Sequence, residues 1–301
     1  MKIKVAVYTS FTFSYLAKAR VLAESLKKHH PDWDFYALMT DQTPEGIEFN
    51  VSNEPFDYVL WSKDINIPNF DEWIATHNIV EACTAVKGPA LQYLCEQGYD
   101  HVMYLDPDVA VFDSLSPLIE ILKNKEIILT PHQLTPEDKD DKTAIWDNEL
   151  CSLTHGVYNL GFVAINSKGE GYRFAKWWAD RLYQYCREDI PNGMFTDQRW
   201  CDLVPAFFDG VQVLRDPGYN VASWNLSQRK IRFTEDGDIT VNDAPLRFFH
   251  FTKLGPVGRK MTERYANDNS EVFELWRWYQ ERIDANVMEG LPTKYWAYGK
   301  I

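Results

Sequence analysis

Two aspartates, Asp106 and Asp108, stand two residues apart in the otherwise apolar stretch "VMYLDPDVAVF", which runs from Val102 to Phe112. Charged side chains are rarely buried unless they are paired or bound to a metal. Three interpretations are open. The unit is a simple Asp-Pro-Asp turn, a site for a hard cation such as Mg²⁺ or Mn²⁺, or the nucleophile and acid of an aspartyl-phosphate phosphatase.

The residues around this unit favour the metal site. Pro107 fixes a bend after the strand, and a bend can turn carboxylates at positions i and i+2 toward one ion, although they would otherwise face opposite ways. The apolar "VAVF" that follows weakens the simple turn. The phosphatase pattern usually lies on the first strand and has Thr or Val two residues after its second Asp, where this chain has Ala110.

The composition excludes several classes of protein. The chain has 301 residues and a formal net charge of −13, which disfavours binding to nucleic acid and broad adsorption to an anionic membrane. No window approaches the roughly 18–20 apolar residues of an integral membrane segment. The five cysteines form no CxxC pair, so we expect reduced thiols and a cytoplasmic protein, not a structural zinc site. The opening "MKIKVAVYTS" is predicted to be a short strand, not a signal peptide.

The first 130 or so residues alternate between strand and helix patterns, which is typical of a doubly wound, mostly parallel sheet. We predict strands at residues 3–8, in "DFYALMT", in "FDYVLW", at residues 102–105 and in "EIILTP". Helices are predicted at residues 13–28, at 72–97 with a break at Gly88-Pro89, and in "LSPLIEILKN". Ligands of such sheets bind at the carboxyl ends of the strands, where Asp106 and Asp108 are expected.

The second half carries a charged loop, Pro136–Lys142, which is predicted to be mobile and to act as a lid. A strand in "YNLGFVAINS", an aromatic helix, a short helix entered through Thr196 and a strand ending at His250 follow. We predict one domain at residues 1–260. Residues 261–301 form a helical C-terminal extension, whose helix in "EVFELWRWYQERI" packs on the body.

"YLDPDVAVF", "YNLGFVAIN", "TDQRW" and a late "FFHF" occur in the order seen in the GT-A glycosyltransferases. The closest resemblance is to the glycogenin- and galactosyltransferase-like branch, glycosyltransferase family 8, and it spans residues 1 to about 260. It implies a Rossmann-like mixed sheet flanked by helices, with a nucleotide-binding half at about 1–130 and an acceptor or sugar half at about 131–260. That branch usually shows His, two residues, Gly, two residues and Lys-Pro-Trp, whereas this chain has "HFTKLGPVGRK". The diphosphate-binding lysine is therefore Lys253, Lys260 or absent.

The resemblance also implies site residues, each with a plain structural alternative. The donor-binding set is Tyr8, Thr9, Ser10, Lys87, Asp106, Asn159, Gly161 and Lys253; the metal ligands are Asp106, Asp108 and His250; the catalytic pair is Asp197 and Gln198. Ser10 can instead be a helix cap, Lys87 a solvated lysine at a helix end, and His250 a buried neutral histidine.

The implied activity is metal-dependent transfer of a sugar, with retention, from a nucleotide-diphosphate sugar to an acceptor hydroxyl. The expected cofactor is Mn²⁺ or Mg²⁺. The expected partners are a UDP-sugar donor and a saccharide or protein acceptor. Two alternatives stay open at this point: a sugar-nucleotide-binding protein without transfer activity, and the aspartyl-phosphate phosphatase.

Overall fold

The structure, a computed structural model, describes residues 3–292 and 295–299. Its strands are β1 (Val5–Phe11), β2 (Asp34–Met39), β3 (Tyr58–Trp61), β4 (His101–Leu105), β5 (Val109–Val111), β6 (Ile127–Pro131), β7 (Tyr158–Asn166), β8 (Glu188–Asp189), β9 (Met194–Phe195), β10 (Val211–Val213), β11 (Ile231–Phe233), β12 (Ile239–Val241), β13 (Ala244–Pro245) and β14 (Phe248–His250).

Helices connect and flank these strands. They are α1 (Leu16–His29), α2 (Phe70–Ile74), α3 (Ile79–Ala85), α4 (Lys87–Glu96), α5 (Ser116–Leu122), α6 (Lys142–Ala144), α7 (Cys151–His155), α8 (Gly169–Tyr185), α9 (Val204–Phe207), α10 (Pro256–Tyr265) and α11 (Glu271–Ala285). Short 3₁₀ turns are Phe13–Tyr15, Val51–Asn53, Ser62–Asp64, Ile190–Asn192 and Arg199–Leu203, and the π-helical segment Ile145–Leu150 joins α6 to α7.

The central sheet has seven strands in the order β10-β6-β7-β4-β1-β2-β3. Strand β1 pairs in parallel with β2 and β4, β2 with β3, and β10 with β6. Strand β7 runs antiparallel to both β4 and β6. The predicted mixed, mostly parallel sheet is therefore confirmed. The reversed β7 places its first residues, Tyr158 to Gly161, at the edge where β4 ends.

Buried residues alternate between the two faces of the sheet, as period-two strands require. Val7 and Met103 pack with α1 on one face, while Tyr8 and Tyr104 pack with α4 and α8 on the other. A third apolar cluster joins the C-terminal helices to the body, and in it the rings of Phe251 and Tyr279 stack with centroids 3.9 Å apart. The sequence-based expectation of a C-terminal helix packed on the body agrees with this cluster. The division of the chain at residue 260 stays a prediction, since that residue lies inside α10.

The predicted break into two helices is present but lies at Val86, between α3 and α4, so that Gly88 and Pro89 fall in the first turn of α4. Pro89 is tolerated in a first turn, where its missing N–H would have no helical partner. A Cβ at Gly88 would lie 2.7 Å from the Ala179 Cα, so glycine there permits close approach of α4 and α8. A second break lies before Ile79, where Asn78 and Glu81 form a reciprocal capping box that begins α3.

The segment predicted to be a lid, residues 136–142, is attached to the body. Glu137 Oε1 accepts hydrogen bonds from Asn148 Nδ2 and Ser227 Oγ, each at 2.8 Å. Asp141 Oδ1 accepts from the Ala144 N–H at 2.8 Å and thereby begins α6. The lid function stays a prediction.

Candidate active site

The Asp-Pro-Asp unit is the turn between β4 and β5, at the carboxyl edge of the sheet. The Asp106 N–H donates to the Gly161 carbonyl at 2.9 Å, and the Val109 N–H donates to the Asp106 carbonyl at 3.0 Å. Strand β5 pairs with β14 so that Val109 lies opposite His250. This pairing brings a histidine from far along the chain beside two aspartates whose backbone is already fixed.

Three potential ligand atoms converge at this turn. His250 Nε2 lies 3.0 Å from Asp108 Oδ1 and 3.6 Å from Asp106 Oδ2, and one ligand atom from each residue lies within 4.8 Å of the others. Two carboxylate oxygens and one imidazole nitrogen form a donor set that suits Mn²⁺, and Mg²⁺ less readily. The residues present therefore fit a divalent cation.

Two neighbours fix the His250 imidazole. Its Nδ1 lies 3.3 Å from Asn220 Oδ1, which favours an Nδ1–H that donates to the amide and leaves the Nε2 lone pair facing the carboxylates. A Cβ at Gly161 would lie 2.4 Å from His250 Cε1, so any side chain there would displace the ring. Burial lowers the pKa of His250, but Asp108 more than offsets this and raises it. Burial raises the pKa of Asp108, and the opposing effect of His250 brings it below its ordinary value.

Lys87 is the central cation of the site. Its Nζ lies 3.0 Å from Asp106 Oδ1, 2.9 Å from Asp197 Oδ2 and 3.2 Å from the Leu160 carbonyl, and it sits 4.3 Å from the centroid of the Tyr104 ring. Asp106 and the Leu160 carbonyl accept hydrogen bonds from the ammonium group, whereas Asp197 is held as an ion pair and its Oδ2 accepts no hydrogen bond. Burial lowers the pKa of Lys87, and the two carboxylates outweigh this and raise it.

The solvated helix-end interpretation of Lys87 is therefore wrong. Only 3% of the residue is exposed, and it begins α4 instead of ending a helix. We call Lys87, Asp106, Asp108, Asp197 and His250 the charged cluster. Burial raises the pKa of Asp197, and Lys87 opposes that change.

Beside the charged cluster lies a set of uncharged polar side chains, the amide network, formed by Asn159, Gln198, Asn220, Thr130 and His132. Asn220 Nδ2 donates to Thr130 Oγ1 at 2.9 Å and to Asn159 Oδ1 at 3.0 Å. Asn159 Nδ2 lies 3.3 Å from His132 Nε2 and 3.4 Å from Gln198 Oε1. Burial lowers the pKa of His132 to about 4, so this imidazole is neutral at pH 7.

The segment that carries Asp197 and Gln198 does not begin a helix at Thr196, as the sequence suggested. Thr196 has a left-handed φ of 43°, and a 3₁₀ turn begins only at Arg199. The Gln198 side chain donates from Nε2 to the His155 carbonyl at 2.9 Å. The left-handed backbone at Thr196 thus places the side chains of Asp197 and Gln198 at the edge of the sheet, and not on a helix.

Four residues of the charged cluster, and Asn159 and Gln198 of the amide network, line one cleft with about 220 Å³ of water-accessible volume. Its lining includes these sequence-predicted residues: Ser10, Lys87, Asp106, Asp108, Asn159, Gly161, Asp197 and Gln198. His250 does not line the cleft itself and lies buried against Asp108. Phe11, Tyr15, Ile79, Val80 and Cys83 give the remaining wall a largely apolar character.

Three of the predicted donor-binding residues lie away from this cleft. Tyr8 is fully buried and donates its hydroxyl to the Lys87 carbonyl at 2.8 Å, while Thr9 is fully buried on the opposite face of β1. Lys253 is exposed and has a left-handed φ of 50°, and Lys260 is exposed on α10. Their predicted contacts with the donor stay predictions.

Two tyrosines of the cleft were not predicted as site residues from the sequence. Tyr104 donates its hydroxyl to Asp106 Oδ1 at 2.6 Å. It lies two residues before Asp106 on an extended segment, and this period-two spacing was the signal that could have identified it. Tyr15 follows β1 and had no such signal, because its position depends on the 3₁₀ turn at Phe13–Tyr15.

Among the residues that the structure describes, no helix is both long enough and apolar enough to span a membrane. Residues 6–187 match the family described as glycosyl transferase family 8. The uncharacterized protein YfnD of Bacillus subtilis (strain 168) is 24% identical over 256 residues, which are 82% of this chain and 77% of YfnD.

Two solved structures share the fold. The galactosyltransferase LgtC in complex with donor and acceptor sugar analogs has a TM-score of 0.50 and 19% identity, with 96% of this chain and 97% of LgtC covered. The bifunctional glycosyltransferase WbbM has a TM-score of 0.52 and 14% identity, with 94% of this chain and 50% of WbbM covered. Because the family match extends over more than half of the sequence, the chain belongs to glycosyl transferase family 8 and is a glycosyltransferase.

Proposed function

We propose that the chain transfers a sugar from a nucleoside-diphosphate sugar, with UDP as the nucleotide, to an acceptor hydroxyl, and that the anomeric configuration is retained. The observation that carries this proposal is the single cleft in which a cation-binding set adjoins the Asp197–Gln198 pair. UDP and retention are supported by the resemblance to the galactosyltransferase-like branch. Membership of a glycosyltransferase family removes the phosphatase and the inactive binding protein as alternatives.

Asp106, Asp108 and His250 are proposed to hold Mn²⁺ or Mg²⁺. When bound, such a cation supplies Lewis-acid stabilisation of the departing diphosphate. Neighbouring side chains hold the proposed ligands in position. Lys87 and Tyr104 contact Asp106, and Asn220 contacts His250. Fixed ligands avoid the cost of reorganising the site during the reaction.

Asp197 and the amide network are proposed to bind the hydroxyls of the transferred sugar. Among the described residues, Asp197 Oδ1 accepts from Thr196 Oγ1 at 3.1 Å and Asp197 Oδ2 has no hydrogen-bond partner, and the Asn159 amide lies beside it at the cleft. Charged and amide groups in fixed positions orient a sugar toward the attacking hydroxyl.

Retention is supported by the state of the carboxylates. Of the described residues that line the cleft, three carry carboxylates. Asp106 and Asp108 belong to the cation-binding set, and Asp197 is paired with Lys87 at 2.9 Å. None of the three is placed as a free base opposite the leaving group, which an inverting reaction requires.

A panel of nucleotide sugars tests this proposal. Each is incubated with the protein, Mn²⁺ and a set of saccharide acceptors, and proton NMR of fresh product gives the anomer. We expect transfer from a UDP-sugar, dependence on the cation, and a product anomer equal to that of the donor. An inverted product would contradict retention and the role of Gln198, and transfer that persists in excess EDTA would contradict the cation site.

Two further proposals concern the setting of the reaction. The acceptor is proposed to be a saccharide or a protein that carries a free hydroxyl. A cytoplasmic location is proposed because all five cysteines are unpaired, which is the usual state in a reducing compartment.

A further inference from the structure

Lys18 lies beside the cleft, and among the described residues it has no hydrogen-bond or ion-pair partner, although the charge of Asp108 acts on it. It lies in the first turn of α1, and its Nζ is 3.8 Å from the centroid of the Tyr15 ring. Tyr15 itself lines the cleft together with Asp106 and Asp108. Among residues 3–292 and 295–299, no acceptor lies within hydrogen-bond or ion-pair distance of this ammonium. The contact with an aromatic face stabilises the position of the amine but does not neutralise it.

The structure of α1 does not account for this lysine. Cations are unfavourable in the first turn of a helix, where the macrodipole is positive, and the first turn of α1 contains no acidic residue. Burial lowers the pKa of Lys18, with Asp108 opposing. Partial burial of an ammonium group costs free energy unless an anion pairs with it. No described residue supplies that anion at ion-pair distance, so a bound anionic ligand would offset the cost.

Lys87, the first candidate from the sequence, is already engaged with two anions. Its Nζ donates to Asp106 and to the Leu160 carbonyl and forms an ion pair with Asp197. A contact with a phosphate oxygen would require the loss of one buried ion pair. Lys87 is therefore a positioning residue that joins the two carboxylates.

The charge balance of the cleft also favours a positively charged residue in addition to Lys87 and the divalent cation. Three carboxylates and the Lys87 ammonium leave two negative charges, which a divalent cation balances. A departing nucleoside diphosphate then adds negative charge that nothing yet named offsets. Lys253 and Lys260, the two candidates from the sequence, are exposed, whereas Lys18 is half-buried against the ring of Tyr15, which lines the cleft.

We propose that Lys18 binds the diphosphate of the donor, and that the Tyr15 ring holds its ammonium beside the cleft until the donor is bound. This assignment rests on the proposed function, because it presupposes a nucleoside-diphosphate donor. The flexible four-carbon stem of lysine lets the ammonium leave the ring and reach a phosphate oxygen as a point charge.

Calorimetric titration of the full chain with UDP, UMP and uridine in saturating Mn²⁺ tests the proposal. We expect Lys18→Met to weaken UDP binding about tenfold, UMP binding less, and uridine binding by less than about twofold. Lys18→Arg keeps the charge and should stay within about threefold of the wild type. Lys28→Met, which removes an exposed lysine from the same helix, is the matched control and should leave all three affinities unchanged.

Two controls separate the outcomes. Mn²⁺ binding without nucleotide should be unchanged or tighter in Lys18→Met, since a neighbouring positive charge is removed. Thermal unfolding checks the fold, with Lys18→Gln as a second variant. An equal loss for uridine and UDP, or no loss for UDP, would overturn the Lys18 assignment alone. If the wild type bound none of UDP, GDP, ADP and CDP, the proposed donor class would be wrong and this assignment would fail with it.

Discussion

The charged cluster and the amide network adjoin each other at the cleft, but their buried polar groups are stabilised in different ways. In the charged cluster every group has a partner of opposite charge or a hydrogen bond, and Lys87 and Asp197 are each 3% exposed. In the amide network the side chains are neutral and bond to one another at 2.9 to 3.4 Å. Buried charges are costly unless paired, whereas buried amides need only hydrogen bonds.

This difference assigns each region to a different part of the proposed substrate. A cation and a diphosphate change the charge of their surroundings by several units, so they belong beside groups that can exchange partners. Sugar hydroxyls bring no charge, and they belong beside amides that both donate and accept. The two regions meet at Gly161, where a Cβ would lie 2.4 Å from His250 Cε1 and 2.8 Å from Asn159 Oδ1.

The largest expected effect comes from the charged cluster. Asp108→Asn keeps the shape of the side chain but removes a charge that the proposed cation requires. We expect a loss of transfer activity of roughly a hundredfold or more, about 3 kcal/mol in transition-state stabilisation, with the fold retained. Initial rates across a Mn²⁺ titration measure it.

Asp236→Asn, at an exposed aspartate between β11 and β12, serves as the matched control and should have wild-type rates. Near wild-type turnover of Asp108→Asn in saturating Mn²⁺ would contradict the cation site and with it the contrast between the two regions.

The charged cluster was the more predictable of the two from sequence. A carboxylate pair after an apolar strand, and a histidine ending a late strand, are local patterns that mark the carboxyl edge of a sheet. Tyr104 follows from the same period-two spacing. The pairing of β5 with β14 could not be predicted from these patterns, because contacts between segments about 140 residues apart depend on how the whole chain folds.

The amide network was less predictable for two physical reasons. Strand β7 runs against its neighbours, and hydrophobic periodicity does not encode strand direction, so the position of Asn159 beside Asp106 had no local signal. Thr196 and Asn220 also adopt left-handed φ values of 43° and 54°, which tertiary contacts impose. Helix-start chemistry at Thr196 pointed to a different local structure. Lys18 was missed because nothing in the sequence shows that an amine lacks a partner.

Removing the buried cation should have the next largest effect. Lys87→Met leaves Asp197 ionised and buried without its partner, so we expect a loss of about 3 kcal/mol in the free energy of unfolding at pH 7. Lys87→Met/Asp197→Asn removes both charges and should recover most of that loss. Urea unfolding of both variants, and of Asp197→Asn alone, measures the coupling.

The pH dependence of the single variant has a definite sign. Burial already raises the pKa of Asp197, and removal of Lys87 takes away the opposing influence. A raised pKa in the folded state costs stability as the pH rises, so the deficit of Lys87→Met should shrink as the pH falls from 7 toward 5. If the double variant were as unstable as the single one, packing around Lys87, and not charge, would hold this region together.

The smallest effect is expected in the amide network, at Asn220, where hydrogen bonding and backbone strain can be separated. Asn220→Gly keeps the preference for φ near 54° but loses the bonds to Thr130 and Asn159, so we expect a loss of about 1 kcal/mol in the free energy of unfolding. Asn220→Ala loses the same bonds and also places a Cβ in the left-handed region, which costs about 1 kcal/mol more. Urea unfolding at pH 7 gives both values.

Because Asn220 also orients His250, both variants should need more Mn²⁺ for half-maximal activity, and by the same factor. A Mn²⁺ requirement that rose only in Asn220→Ala would show that the backbone at residue 220, not its amide, positions the imidazole, and that the two regions are coupled through the main chain.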